Sequence, residues 1–148
     1  MLVVAKFGGS SVANTSQFQK VKAIVEAKEN RKVIIVSALG KKEKNDSKIT
    51  DLLYLLHAHL CYSVPYDNVF SMIKNRFCNI KEELQLKIDL ESEFNQLAKE
   101  LNKELSMEYL ASRGEYITAK MVAEYLGYTF VDAKDLICFD YSRLVNDK

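Results

Sequence analysis

Residues 2–18, LVVAKFGGSSVANTSQF, contain the pattern that decides the fold. An apolar run leads into Lys6, two glycines and two serines follow, and a helical pattern then begins. We predict a buried strand over residues 3–7 and a helix whose first turn is capped by Asn14 or Thr15. The expected apolar stripe of that helix consists of Phe18, Val21, Ile24 and Val25.

A second all-apolar run follows this helix at residues 33–36. Strand, helix and strand without polar alternation predict a parallel βαβ unit whose sheet is covered on both faces. A charged loop at 40–47 then leads to a helix that Ser47 is expected to cap. The order of these elements favours the α/β class of folds.

The rest of the chain is predicted to be mainly helical. The helical pattern extends over residues 62–105, with an extended connector where leucine and isoleucine alternate at 84–90. We predict a further helix from Ser112 to about Gly127, which is suited to the left-handed residue that ends a helix. A third strand is expected over residues 128–132.

Composition limits the class of protein. The 148 residues are 48% apolar and 28% charged, as in one soluble globular domain. A net charge of +1 gives no basic excess for nucleic acid, and no apolar run is long enough to span a bilayer. No signal-peptide pattern is present, so we expect a cytoplasmic protein that acts without nucleic acid or membrane.

The cysteines and histidines predict no metal site. Cys61, Cys78 and Cys138 are widely spaced, and we expect reduced, mostly buried thiols. His57 and His59 are two residues apart on a predicted helix, so they point to different sides and do not form a metal pair.

The glycine turn after the first strand is suited to phosphate. Because Gly8 and Gly9 lack side chains, backbone N–H groups can approach a ligand, and the next helix adds free N–H groups. Lys6 adds charge, and Ser10 and Ser11 add hydroxyl donors. The lysine precedes the glycines, so this is not a Walker A loop. A plain tight turn with a solvated lysine explains the spacing about equally well.

Four further residues are candidate ligands for a second substrate. Ser37 and Ala38 follow the second strand, at the same edge of the sheet as the glycine turn. Thr50 lies in the first turn of its helix, and Glu115 could hold a cationic group such as an amine. By spacing alone, structural interpretations are favoured: a loop start, helix capping, and a capping box in which Glu115 turns back to Ser112.

Four blocks, in this order, resemble the aspartate kinases (aspartokinases) of the amino acid kinase family. The resemblance covers essentially the whole chain, and ordered blocks are far more specific than any one of them. The blocks are KFGGSSV at residues 6–12, VSALGKKEKNDSKITDLLY at 36–54, SRGEYITAKMVAEYLG at 112–127 and VDAKDLICFD at 131–140.

The resemblance implies a fold and a domain organisation. It implies a three-layer αβα fold with a mainly parallel sheet, truncated here, and a helical insertion around residues 62–105. Residues 1–148 would be the N-terminal, amino-acid-binding half of the kinase domain, without the ATP-binding half and the ACT regulatory domains. We therefore expect this chain alone to be inactive or nearly so. An uncovered sheet edge and apolar surface would favour a homo-oligomer.

The resemblance also implies an activity and roles for the site residues. The reaction would transfer the γ-phosphoryl group of Mg²⁺-ATP to the side-chain carboxylate of L-aspartate, the first step towards lysine, threonine and methionine. No protein ligand for the metal can be assigned in this chain. Lys6 would neutralise charge; Gly8, Gly9 and Ser10 would donate to phosphates; Ser37, Ala38, Thr50 and Glu115 would hold aspartate.

Two alternatives remain open at this point. A sister kinase that acts on another small acid, such as glutamate or acetylglutamate, would share the glycine turn but not the second and third blocks together. A non-catalytic fragment that keeps the fold is the other alternative.

Overall fold

The computed structural model describes residues 1–139 and 145–146. Two paired strands and five helices form most of it, and 3₁₀ turns follow the first strand and the last of the five helices. None of the described helices is long and apolar enough to cross a membrane. In chain order, the elements are β1 Val3–Phe7, a 3₁₀ turn Gly9–Val12, α1 Thr15–Glu26, β2 Arg31–Val36, α2 Ile49–Cys61, α3 Asp67–Leu84, α4 Leu90–Glu100, α5 Met107–Leu126, a 3₁₀ turn Ala133–Asp135, β3 Cys138–Phe139 and β4 Val145–Asn146.

The predicted βαβ unit is present at the start of the chain. Strands β1 and β2 pair in parallel, with Lys6 opposite Ile35, and α1 connects them. The Asn14 side chain caps α1, because its Oδ1 accepts a hydrogen bond of 3.0 Å from the Gln17 amide. This confirms one of the two predicted caps. In the predicted stripe of α1, Ile24 differs from the other residues because it is exposed.

The two faces of the β1–β2 sheet differ. Ala5, Ile34 and Val36 pack against the core, whereas Val4 and Ile35 on the other face are 56% and 49% exposed. The apolar strands predict two covered faces, but within the described residues only one is covered. An open apolar face agrees with the expectation of uncovered surface.

Helices α3 and α4 form the predicted helical insertion. Phe94 of α4 packs its ring against Phe70 and Phe77 of α3, at centroid distances of 5.9 and 5.8 Å. Residues 85–89 connect the two helices without helix or strand, so a connector is present as predicted, but it is not extended throughout because Gln85 is left-handed. The Glu124 carboxylate of α5 accepts hydrogen bonds from the Lys87 and Ile88 amides of the connector. The insertion is therefore attached to α5 as well as to α2.

Helix α5 begins earlier than predicted. Its cap is Ser106, whose Oγ accepts a 3.1 Å hydrogen bond from the Tyr109 amide, so the predicted start at Ser112 is wrong. The predicted end is confirmed: Gly127 adopts a left-handed conformation, with φ of 72°.

The predicted third strand is absent from residues 128–132. The Tyr128 amide donates to the Ala123 carbonyl at 2.8 Å, which completes the end of α5, and its hydroxyl donates to the Arg31 carbonyl at 3.0 Å. Phe130 stacks edge-on against Tyr116. Side-chain anchoring thus replaces strand pairing over this segment.

The cysteines are less buried than predicted. Cys61 is exposed and Cys78 is half-buried, and the side chain of Cys138 lies outside the described residues. Burial raises the pKa of the Cys78 thiol, which keeps it protonated and unreactive near neutral pH.

Candidate active site at the carboxyl ends of the strands

The carboxyl ends of β1 and β2 lie side by side, as the sequence predicts. The Ser37 amide, just beyond β2, donates to the Phe7 carbonyl at the end of β1 at 3.1 Å. After Phe7 the chain turns tightly, with a 2.9 Å hydrogen bond from the Ser11 amide to the Gly8 carbonyl. This turn leads into the N-terminus of α1, where the first amide groups of a helix have no partner within the helix, and Asn14 accepts from one of them, that of Gln17.

The two loops at this edge pack backbone against backbone. The Gly40 amide donates to the Gly9 carbonyl at 2.9 Å. A Cβ atom on Gly9 would lie 2.8 Å from the Ala38 carbonyl oxygen, and one on Gly40 would lie 2.5 Å from the Gly9 carbonyl carbon. A Cβ atom on Gly8 would meet no atom within 4 Å. Neighbouring main-chain atoms therefore leave no space for a side chain at Gly9 or Gly40. At Gly8 that space is open, so a ligand can approach the main chain there.

Helix α5 approaches the same place through Gly114. A Cβ atom there would lie 3.0 Å from both Ala38 Cβ and Leu53 Cδ1, and 3.1 Å from Ile49 Cγ2. The buried Thr118 hydroxyl donates back to the Gly114 carbonyl at 2.7 Å. Because Gly114 has no side chain, α5 can lie directly against the loop after β2. We refer to the place where Gly9, Ala38, Gly40 and Gly114 meet as the loop junction.

Glu115 follows Gly114 and is accessible to solvent. It accepts no hydrogen bond and forms no ion pair with the described residues. The capping-box interpretation is wrong, because Ser112 and Glu115 both lie inside α5 and the Ser112 hydroxyl donates to the Tyr109 carbonyl at 2.6 Å. Partial burial raises the pKa of the Glu115 carboxyl group. A partly desolvated carboxylate that no described residue pairs with is suited to a cationic ligand.

Three of the candidate hydroxyl residues also lie at the carboxyl edge. Ser10 is exposed in the turn after β1, Ser37 is half-buried beyond β2, and Thr50 is half-buried in the first turn of α2. The start of α2 is held by a 3.0 Å hydrogen bond from the Ile49 amide to the Leu39 carbonyl.

Lys6 approaches this edge from the other face of the sheet. Strand alternation places it on the open face, opposite Ile35, whereas Gly114 and α5 lie on the covered face. Lys6 and Glu115 make no contact with each other among the described hydrogen bonds and ion pairs. The structure therefore brings together the main chains of the predicted segments, with these two charged side chains on either side of the strand ends.

Sequence reasoning missed one residue near the site, Arg76 of α3. Its guanidinium donates to the Gly40 carbonyl at 2.7 Å and to the Ser47 carbonyl at 3.1 Å, and it forms an ion pair with Asp46. Nothing in the local pattern of α3 distinguishes this arginine from a solvated one. Only the fold brings it to a loop thirty residues earlier.

Among the described residues, neither a metal-binding cluster nor the pocket of about 430 Å³ lies at the loop junction. In the part of the chain that the structure describes, no group of three or more His, Cys, Asp or Glu side chains could hold a metal ion. A surface pocket of about 430 Å³ lies between α2 and α3, lined by residues that include His59 and Tyr66. His57 and His59 contact different carbonyls, those of Leu105 and Pro65.

Fold and sequence together define the class of protein. The sequence model of the amino acid kinase family matches residues 1–147, and the chain belongs to that family. Among solved structures, the chain resembles the aspartate kinase of Clostridium acetobutylicum, with 44% identity and a TM-score of 0.93 over 98% of its length. It also resembles E. coli aspartokinase III in complex with aspartate and ADP, with 26% identity and a TM-score of 0.68 over 86% of its length. The expected α/β fold is thereby confirmed.

Curated relatives are aspartokinases as well. The chain is 32% identical to aspartokinase 3 of Bacillus subtilis over 88% of its length, and 30% identical to the chloroplastic aspartokinase 1 of Arabidopsis thaliana over 97%. It spans 30% and 26% of the lengths of these two relatives, and 34% and 29% of the Clostridium and E. coli chains. The similarity thus covers the N-terminal part of an aspartate kinase.

Proposed function

We propose that this chain is the amino-acid-binding part of an aspartate kinase. The reaction is transfer of the γ-phosphoryl group of ATP to the side-chain carboxylate of L-aspartate, which yields 4-phospho-L-aspartate for lysine, threonine and methionine synthesis. The observation that carries the proposal is the loop junction, which joins the glycine turn to the helix bearing Glu115 in a fold similar to aspartate kinase. We also propose that the protein acts as a cytoplasmic homo-oligomer.

The glycine turn is proposed to receive the phosphates. Gly8 is bare, the amides of Gly9 and Ser10 begin the 3₁₀ turn, and α1 adds the positive end of its dipole. Lys6 is exposed at the end of β1, where its ammonium group can neutralise charge on the phosphoryl group during transfer. Phosphoryl transfer depends mainly on such positioning and charge stabilisation, so no covalent intermediate on the protein is needed.

Glu115 is proposed to bind the α-ammonium group of aspartate. No cation of the described residues pairs with its carboxylate, and a bound ammonium would supply a positive charge there. Ser37, the main chain of Ala38, and Thr50 would supply hydrogen bonds to the carboxylates of the substrate. These residues lie on segments that meet at the loop junction, so they can act on one small molecule.

Magnesium is implied as the partner of ATP. Because no acidic cluster exists among residues 1–139 and 145–146, we assign no protein ligand to the metal and derive no step through it. The chain alone, which spans about a third of the related kinases, is proposed to lack turnover.

The proposal can be tested in a hybrid enzyme, in which this chain replaces the matching residues of the Clostridium aspartate kinase. We expect ADP release that requires L-aspartate and is not supported by glutamate or acetylglutamate. Release with one of those acids instead would identify a sister kinase. A folded hybrid without any acid-dependent release would support the non-catalytic alternative.

Two variants of the hybrid separate the proposed roles. Lys6→Ala should lower kcat roughly 100-fold, as loss of a charge-stabilising donor does, with a smaller effect on KM. Glu115→Gln should mainly raise the KM for aspartate. Lys20→Ala and Glu104→Gln, which change exposed residues away from the loop junction, serve as matched controls. The reverse pattern would contradict the assigned roles.

A further inference from the structure

Arg76 connects the helical insertion to the charged loop between β2 and α2. This loop, residues 40–47, carries exposed lysines, and its ends are Gly40 and Ser47. The guanidinium donates to the carbonyl of each end residue, at 2.7 and 3.1 Å. One side chain from α3 therefore fixes both ends of the loop and sets the distance between them.

Asp46 completes the contact from inside the loop. Its carboxylate accepts hydrogen bonds of 2.8 Å from the amides of Lys42 and Ser47, and it pairs with Arg76. Burial alone would raise the pKa of the Asp46 carboxyl group, but the two amides and the guanidinium together lower it. The carboxylate is therefore ionised at neutral pH and available for the guanidinium. Both side chains are mostly buried, 15% and 29% exposed, so water screens this pair less than an exposed one.

The loop transmits this restraint to the glycine turn. The carbonyl of Gly40 is held by Arg76, while the amide of the same residue holds the Gly9 carbonyl at 2.9 Å. The space around Gly40 leaves no room for adjustment, since an added Cβ would lie 2.5 to 2.8 Å from main-chain atoms of Gly9 and Ser10. A displacement of Gly40 would therefore displace the proposed phosphate turn.

The other end of the loop leads into α2. Ser47 does not cap this helix, contrary to prediction: the N-cap is Lys48, and its side chain makes no capping hydrogen bond. The restraint comes instead from Arg76 on the Ser47 carbonyl and from Asp46 on the Ser47 amide. Thr50, proposed to bind aspartate, follows three residues later.

We infer that Arg76 is a positioning residue of the proposed active site, which holds the Gly40 carbonyl and the segment before α2 so that the phosphate turn and Thr50 keep their relative places. It acts through the main chain and is not proposed to touch either substrate. The inference rests on the proposed function and adds a residue from the helical insertion to it.

Hydrogen exchange of the 148-residue chain tests the restraint without requiring catalysis. Arg76→Met should speed exchange at the amides of Gly40, Lys42 and Ser47 roughly tenfold or more, because their hydrogen-bonded loop loses its anchor. Lys74→Met is the matched control, because Lys74 lies on α3 as Arg76 does. It removes a 2.8 Å ion pair with Glu91 of α4 and should leave the exchange of these amides unchanged. Unchanged exchange in Arg76→Met would overturn the inference, as would an equal effect of Lys74→Met.

Kinetics of the hybrid enzyme test whether the restraint serves the reaction. Arg76→Met should lower kcat at least tenfold, because small misplacements of reacting groups are costly in phosphoryl transfer. Arg76→Lys, which keeps the charge but not the forked donors, should recover only part of the loss. Normal kcat and KM despite faster exchange would reduce Arg76 to a structural role and overturn the inference. An inactive parent hybrid would contradict the proposed function instead, while the exchange result would still decide whether Arg76 restrains the loop.

Discussion

The loop junction and the open face of the sheet differ sharply in how tightly they are packed. At the loop junction, a single methyl group on Gly9 or Gly40 would overlap main-chain atoms. On the open face, Val4, Val33 and Ile35 are 56%, 40% and 49% exposed. Both regions contain residues of the proposed site, but only at the loop junction do main-chain atoms leave no space for an added methyl group.

The two regions contribute differently to the structure: one positions the glycine turn, and the other exposes an apolar surface. Main-chain contacts at the loop junction fix the glycine turn against the loop after β2, while α5 packs on the Ala38 side chain through Gly114. The open face instead presents apolar side chains around Lys6. Contiguous apolar surface of this kind favours association with another protein surface.

The largest effect is expected from Gly40→Ala. Its Cβ would lie 2.5 Å from the Gly9 carbonyl carbon, and main-chain atoms cannot move aside as a flexible side chain can. We expect a loss of about 3 kcal/mol or more in the free energy of unfolding, measured by urea denaturation. Gly8→Ala is the control, since it meets no atom within 4 Å, and should change stability by less than about 0.5 kcal/mol. Equal effects would mean that the loop junction is not tightly packed in solution.

Neighbouring residues of β2 test the two faces of the sheet with a smaller effect. Ile34→Ala should cost about 2 kcal/mol of unfolding free energy, because Ile34 packs against the core. Ile35→Ala should cost well under about 1 kcal/mol, because that side chain is half exposed. The same denaturation experiment at low protein concentration measures both. A loss at Ile35 that grows as the protein concentration is raised would show that a second copy covers the open face.

The smallest effect is expected from Glu115→Gln. The pKa of Glu115 is raised by burial, so the native state gains relative stability below the ordinary value of 4.5 and loses it as the pH rises through the raised pKa. At pH 7 the variant should be as stable as the parent or up to about 0.5 kcal/mol more stable, and this gain should vanish below pH 4.5. A marked loss of stability at pH 7 would indicate a structural partner for Glu115 rather than a ligand.

Local patterns were sufficient for the first βαβ unit and for the end of α5. The apolar run before Lys6, the cap at Asn14 and the left-handed Gly127 depend on neighbouring residues, so the sequence predicts them correctly. The capping-box pattern at Ser112 misled because Ser106, six residues earlier, is the actual cap, and the helix of twenty residues that follows passes through Ser112.

The remaining differences arise from contacts that are distant in sequence. Residues 128–132 have the composition of a strand, but Tyr128 and Phe130 are anchored by Arg31 and Tyr116, and no described strand pairs with them. Arg76 likewise reaches a loop that no periodicity connects to it. For the candidate site, the sequence predicts which segments meet, whereas the separation of Lys6 and Glu115 on two faces depends on the packing of α5.

The close packing around Gly114 limits which amino-acid substitutions this chain can accept. Its neighbours are Ala38, Leu53 and Ile49, each about 3 Å from where a methyl group would stand. The side chain of Ala38 is a single methyl group and can hardly be made smaller. A larger residue at 114 would therefore need a smaller one at 49 or 53. Substitutions at these positions should therefore occur in compensating pairs, and a directed-evolution library should be randomised at all three sites together.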